Sequence, residues 1–327
     1  MSVLVLGSNS FSGSHFVDYL LKKNHKVYGV GRTINQKIFL AYSNNVNIQN
    51  FKFFKLDLNK NLQELKKVIL NYKPEYVVNF ASQGMVAESW ISPEDWFFTN
   101  TLTMTKLFNF LKDQSFLKKY VHISTPEVYG STKKNFKEND IYKPTTPYAI
   151  SRAAADMTLS AFFKAYNFPY ISTRAANVYG AHQQLYRIIP ITILNILNKK
   201  KIKLHGGGKS QRSFIHIKDV VEATYLLMKK SNSGQTYHLS ANNFLSIESL
   251  VKKICKKMNT KFNDCVIKTE ERLGKDLIYD LDSSKITRKF KWRPKIDIDQ
   301  GVDEVILWIK QNINQLNKYP NYYIHKK

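Results

Sequence analysis

Groups able to move protons cluster in the middle of this sequence. The stretch Ser124-Thr125-Pro126-Glu127-Val128-Tyr129-Gly130 supplies hydroxyls and a carboxylate, and Tyr148-Ala-Ile-Ser-Arg152 supplies a phenol and a guanidinium. On a helix the i,i+4 spacing puts Tyr148 and Arg152 on one face. A tyrosine whose pKa is lowered by a nearby cation serves as a base toward a substrate hydroxyl. Ser124 or Thr125 is placed to hydrogen-bond the same oxygen.

That chemistry suits hydride transfer, and a second motif offers a place for a nicotinamide dinucleotide. Gly7-Ser-Asn-Ser10-Phe11-Ser-Gly13 lies between an apolar strand and a helix. The first glycine permits a tight turn, the last lets the helix pack close to the sheet, and the helix N-terminus presents N–H groups to a pyrophosphate. Ser10 stands where a third glycine is usual, small enough for close approach. The second strand ends in Val30-Gly31-Arg32-Thr33, without the acid that usually binds the ribose hydroxyls of NAD. Arg32 is placed for a 2′-phosphate, so NADP is expected before NAD. The plainer alternative is a solvated arginine. Asp57 and Leu58, after the third strand, are placed against an adenine ring unless Asp57 is simply a helix cap.

The elements that must hold these residues alternate. Strands are expected at Val3–Leu6, Lys26–Val30, Phe51–Asp57, Tyr76–Phe80, Tyr120–Ser124 and Tyr170–Arg174. Helices are expected at Phe11–Lys23, Leu62–Asn71, Thr99–Lys112 and Tyr148–Tyr166. The pattern predicts an α/β fold, a doubly wound parallel Rossmann sheet whose ligands bind at the strand C-terminal ends. After Gly180 the pattern changes. Helices are expected at Ile188–Asn198, Asp219–Lys230, Ile247–Met258 and Gly301–Ile313, a loop at His205–Lys209, a short strand at Phe214–Ile217 and a polar aromatic tail at Asn314–Lys327. Residues 1–180, with contributions from 210–240, form the expected dinucleotide domain, and residues 181–327 a smaller C-terminal α/β substrate lobe.

The chain has 327 residues, 43% of them hydrophobic, enough for a large buried core. No apolar run is long enough to span a membrane, and a first strand beginning at Ser2 leaves no signal peptide to expect. Cys255 and Cys265 form no CxxC pair and lie near no histidine cluster. They read as inert thiols of a cytoplasmic protein without a metal site. The net charge of +25 favours polyanionic ligands. Its lysines are dispersed, however, and no basic run is long enough for a nucleic-acid arm, so nucleic acid is not an expected partner.

Taken with further segments, these motifs resemble the extended short-chain dehydrogenase/reductases, specifically the NAD-dependent epimerase/dehydratase family. The chain is most similar to its nucleotide-sugar 4,6-dehydratases of the dTDP-glucose and GDP-mannose types. The further segments are Asn79-Phe-Ala81-Ser-Gln83, Thr173-Arg-Ala-Ala-Asn177-Val-Tyr-Gly180, Gly208-Lys-Ser-Gln-Arg212-Ser-Phe214, Arg272-Leu-Gly-Lys-Asp276 and Trp292-Arg-Pro294. The resemblance implies that Tyr148 deprotonates the sugar 4-hydroxyl as hydride leaves C4, and that Thr125 polarises the 4-oxygen. Glu127 then removes the C5 proton, water leaves from C6 and hydride returns there. It further implies that Tyr148, Arg152 and Ala81 touch the cofactor, that Gln83, Asn177, Arg212 and Arg272 hold the nucleotide-diphosphate sugar, and that the chain is a homodimer.

Three residues depart from the pattern: Ser10, Pro126 in place of the Asp that dTDP-glucose enzymes use as general acid, and Arg152 in place of lysine. Other enzymes on the same scaffold (epimerase, decarboxylase, C4 oxidoreductase) remain alternatives, as does a nucleotide- or RNA-binding protein with weakened chemistry. Glu127 favours chemistry at C5, which a simple 4-epimerase does not need.

Overall fold

Alternation of apolar side chains along short strands, with amphipathic helices between them, produces a sheet buried on both faces. The structure, a computed structural model, describes residues 1–130, 135–241, 243–270 and 278–325. The strands are β1 Ser2–Leu6, β2 Lys26–Gly31, β3 Phe51–Lys55, β4 Tyr76–Asn79, β5 Lys119–Ile123, β6 Tyr170–Ala175, β7 Asn177–Tyr179, β8 Ile202–His205, β9 Gln211–His216, β10 Gln235–Leu239, β11 Phe244–Ser246, β12 Val266–Thr269 and β13 Ile278–Tyr279. The helices are α1 Phe11–Lys22, α2 Leu62–Tyr72, α3 Pro93–Phe97, α4 Met104–Leu111, α5 Pro147–Tyr166, α6 Ile188–Leu197, α7 Ile217–Lys230, α8 Ile247–Lys257, α9 Phe262–Cys265, α10 Ser284–Phe290 and α11 Ile298–Leu316.

The main sheet has seven strands in the order β10-β6-β5-β4-β1-β2-β3, all pairs parallel. This is the doubly wound Rossmann arrangement, with its direction of winding reversing between β1 and β4. Val3 and Val5 face one core with Phe16, Leu20, Val221 and Leu227, while Leu4 and Leu6 face the other with Leu107, Phe108 and Leu159. Helices therefore cover both faces, as parallel sheets require. A smaller assembly follows. Strand β9 pairs with β7, β11 and β13, and Ile193, Leu250, Val305 and Ile309 of α6, α8 and α11 share a third core.

Three sequence expectations change. The edge strand β10 was not anticipated: Gln235–Leu239 mixes polar and apolar residues, and its place comes from pairing with β6. The helix expected from Thr99 instead begins at Pro93, and its middle, Phe98–Thr103, is a π-type stretch. The polar aromatic tail begins later, after α11 ends at Leu316, and its aromatic residues are packed. Its Tyr319 lies edge-on to Phe39 and its His325 stacks on Trp96. Among the described residues no helix is long and apolar enough to cross a membrane.

Candidate active site

Two clefts of chemistry meet at the C-terminal edge of the main sheet. The first is a backbone cradle at the winding switch. Gly7 has φ +72°, and a Cβ there would fall 2.7 Å from the Ala81 amide nitrogen at the end of β4. A Cβ on Gly13 would fall 2.1 Å from the Gly7 carbonyl oxygen, so the turn and α1 touch through backbone alone. Ser10 is the N-cap of α1, its hydroxyl accepting from Gly13 N at 3.1 Å. The serine at the third-glycine position thus uses one helix N–H itself and leaves those of Phe11 and Ser12, at the first two helical positions, outside the intrahelical ladder. Phe11 is buried and packs edge-on to His15, whose Nε2 meets the Ala181 carbonyl at 2.9 Å and fixes α1 to the second lobe.

Sequence reasoning missed Asn9, which ties this cradle to the end of β2. Its Nδ2 donates to Thr33 O at 2.9 Å, and its Oδ1 accepts from Tyr42 at 2.7 Å. Nothing in Gly-Ser-Asn-Ser singles it out, because its partners lie tens of residues away. Arg32 follows β2, half-buried and engaged within the protein. Asp57 follows β3, and its Oδ1 accepts from Asn59 N at 2.8 Å, closing a turn ahead of α2. Leu58 is buried in the core beneath. The Asp57 carboxylate thus closes a local turn and is not the cap of α2, whose N-cap residue is Asn61.

The second cleft is made of side chains. Strand β5 ends at Ile123, Thr125 is extended, and Pro126 opens a tight turn over Pro126–Tyr129. Thr146 caps α5 through Ala149 N at 3.2 Å, with Pro147 in the first helical position, and this places Tyr148 at the helix start. Tyr148 is half-buried and hydrogen-bonded with Thr125, and it senses Glu127, Arg152 and Arg187. Its pKa is raised, opposite to the sequence expectation. Burial is the main cause and the Glu127 charge adds to it, while Arg152, Thr125 and Arg187 pull the other way.

Ser124 also departs from expectation. Its hydroxyl donates to Asp156 Oδ2 at 2.7 Å, turned away from the Tyr148 oxygen that Thr125 serves. Asp156, from α5, is paired with Arg174 of β6 at 2.8 Å, and the Arg174 guanidinium lies 4.8 Å from the ring centres of Tyr129 and Tyr142. Burial opposes ionisation of Asp156, yet Arg174 and the Ser124 bond hold its carboxyl below the ordinary range. His122 of β5 is fully buried and pushed down to about 3, first by desolvation and then by Arg152.

A neutral imidazole lies beside Arg152. Arg152 is buried, and its NH2 contacts the Ile123 carbonyl and lies 3.3 Å from His122 Nε2. Its Nε and NH1 have no hydrogen-bond partner in the protein. Buried donors of this kind are costly unless satisfied, and they suit the hydroxyl oxygens of a ribose. Together with the free first turn of α1 they fit a dinucleotide lying from the cradle to Tyr148.

The remaining candidate residues stand on other elements. Gln83 is buried, and Asn100 grips its backbone at both N–H and carbonyl, 2.8 and 3.0 Å. Asn100 belongs to the π-type stretch, which also turns it onto Ser151 at 3.0 Å. In the smaller sheet, Asn177 pairs in register with Phe214, two residues from Arg212, so the two candidate substrate residues sit on adjacent strands. Arg272 lies outside the described residues.

A Rossmann sheet whose switch point leads to a Tyr/Thr/Glu cluster defines a nicotinamide-dependent enzyme of the epimerase/dehydratase type. The family model described as GDP-mannose 4,6 dehydratase matches residues 4–305. The human dTDP-D-glucose 4,6-dehydratase is 30% identical, over 95% of this chain and 91% of its own. The Haemophilus influenzae dTDP-glucose 4,6-dehydratase is 28% identical, over 94% and 97%. Among solved structures, the Bacillus anthracis dTDP-glucose 4,6-dehydratase in complex with NAD has a TM-score of 0.85 and 30% identity, covering 96% of this chain and 98% of its own. The chain belongs to the GDP-mannose 4,6-dehydratase family, within the epimerase/dehydratase type of extended short-chain dehydrogenase/reductases. Its activity is that of a nucleotide-sugar 4,6-dehydratase.

Proposed function

We propose that Tyr148, Thr125 and Glu127 carry out this dehydration. The observation that carries the assignment is the meeting of all three at one point: Tyr148 bonded with Thr125 and within the field of Glu127. Tyr148 accepts the proton of the sugar 4-hydroxyl, and Thr125 steadies that oxygen as it becomes a ketone. The ketone acidifies C5–H. Glu127 takes that proton, the C5=C6 bond forms as the C6 hydroxyl leaves, and the leaving oxygen collects a proton to depart as water. With Pro126 in place of an acid, Glu127 performs both proton transfers. A nicotinamide held here would supply the hydride chemistry, from C4 and back to C6; as C6 is reduced C5 takes up a proton, and Tyr148 gives up the one it accepted. Arg152 and the first turn of α1 hold the dinucleotide, and Arg152 offsets part of the raised pKa of Tyr148.

Finer points of the reading follow. Arg32, with no acid at the end of β2, supports a preference for the 2′-phosphorylated dinucleotide, although the solved Bacillus relative holds NAD. Residues 1–180 with 210–240 hold the dinucleotide, while 181–327, through Asn177 at its border, Arg212 and Arg272, hold the nucleotide diphosphate of the sugar. Phe98 and Leu102 on the α3–α4 segment and Ile150 and Met157 on α5 are exposed apolar residues, which supports a homodimer formed through these helices. Two buried, unbridged thiols, Cys255 and Cys265, suit the cytoplasm.

The deciding experiment incubates purified protein with dTDP-, GDP- and UDP-hexoses and follows the products by mass spectrometry. Loss of one water from one of them is expected, and an unchanged panel overturns the assignment. Binding titrations settle the cofactor. Arg32→Ala is expected to weaken NADP about tenfold and NAD little, whereas an equal loss for both removes Arg32 from the site.

A further inference from the structure

The chain after α11 does not leave the molecule. Asn317 exchanges amide hydrogen bonds with Asn198 at 2.7 and 3.1 Å, at the far end of the second lobe. From there Tyr319 packs edge-on against Phe39, past β2, at 5.2 Å, and Tyr323 edge-on against Tyr186 at 5.5 Å. His325 stacks on Trp96 with ring centres 5.0 Å apart and planes 10° from parallel, and its Nε2 meets Asp95 Oδ2 at 2.8 Å. After the turns and bends of residues 317–322, side chains alternate, with Tyr323 and His325 turned in, and Tyr322 and Ile324 turned out at 65% and 51% exposure. That alternation is how a strap lies on a surface.

Its anchors Phe39, Trp96 and Tyr186 stand on the segments that follow β2, β4 and β7. Trp96 is completely buried and donates to the carbonyl of Gly84, the residue after Gln83. Tyr323 senses the charges of Glu88, Arg32 and Arg187, and Arg187 also acts on Tyr148. Tyr323 thus lies within electrostatic reach of Arg32, which follows β2, and of Arg187.

We propose that residues 317–325 form a strap that closes the dinucleotide cleft and retains the cofactor, with His325 on Asp95 and Trp96 as its latch. The inference rests on the dehydratase reading above, because only a reaction that returns its hydride leaves the cofactor ready for the next substrate without exchange. In such a cycle slow cofactor release costs no turnover, and a covered cofactor site is an advantage.

The test uses the full chain, a chain ending after Tyr319, and His325→Ala. Each is loaded with reduced dinucleotide, and release is followed by loss of nicotinamide fluorescence after a chase with excess oxidised dinucleotide. Release is expected to be about tenfold faster without the strap and about threefold faster with the latch removed. Equal release rates for all three overturn the proposal. So does tighter binding by the shortened chain, which would make the tail a plug and not a retainer. Hydrogen exchange of residues 317–325 in the full chain gives an independent reading. Protection shows the latch closed even if dinucleotide binding and the dehydratase reading fail, and exchange at the rate of a free peptide overturns the strap outright.

Discussion

The cofactor cradle and the catalytic cluster lie at the same sheet edge and are built in opposite ways. The cradle is backbone: Gly7 against Ala81, Gly13 against the Gly7 carbonyl, and one serine cap. The cluster is buried charge: Asp156 between Ser124 and Arg174, with His122 beside Arg152. A backbone site needs only space and direction, so one departure such as Ser10 is absorbed locally. A buried-charge site is a coupled network, in which each group sets the protonation and position of the next. Arg152 accordingly sits beside a His122 imidazole that burial and the Arg152 charge keep neutral.

The comparison breaks first at Tyr148. Tyr148→Phe is expected to lower turnover about 10³-fold while dinucleotide affinity stays within about threefold. If affinity falls with turnover, the two regions are not separable. Next, Asp156→Ala leaves the Arg174 charge buried without its partner, a loss expected at about 3–5 kcal/mol of folding stability in urea titration. A loss below about 1 kcal/mol would place that pair in surface-like surroundings.

Acid sharpens the contrast, because the Gly7–Gly13 turn contains no titratable group, whereas His122 and His238 beneath the cluster are held neutral down to about 3, chiefly by burial. In the unfolded chain each takes its proton near pH 6.5, so below that pH the unfolded state binds more protons. Stability is therefore full above about pH 6.5 and is lost progressively toward pH 3, by up to about 1.4 kcal/mol per pH unit for each histidine. Stability that is flat between pH 6.5 and 4 would mean that these imidazoles are hydrated. The smallest effects lie in the cradle. Ser10→Ala, which removes a cap, is expected to cost about 1 kcal/mol. Gly13→Ala, which drives a Cβ into a carbonyl oxygen 2.1 Å away, should cost distinctly more. Equal costs would show that the cap, and not close packing, holds the turn.

Much of the site was readable before the fold was known, and what was not has a common cause. Gly7, Gly13, Thr125, Glu127 and Tyr148 stand in short motifs whose spacing carries their chemistry. Asp156 and Arg174 read as polar residues of an ordinary helix and strand, because their partners lie 18 and 32 residues apart along the chain. The direction of Ser124 was misread for the same reason. A hydroxyl beside a catalytic threonine is an obvious ligand for the same oxygen until a buried carboxylate is brought closer. Asn100 was hidden because the π-type stretch that aims it at Gln83 leaves no mark in hydropathy.

By itself, then, the sequence determined the alternating elements, the parallel sheet and the place of the glycine turn, since local periodicity and glycine stereochemistry depend only on neighbours. Tertiary structure alone decided the edge strand β10, the neutral state of His122, the raised pKa of Tyr148 and the path of the tail to Trp96. Each of these follows from burial or from a partner distant in the chain. The dielectric around a group, and the charge that faces it, exist only once the chain has folded.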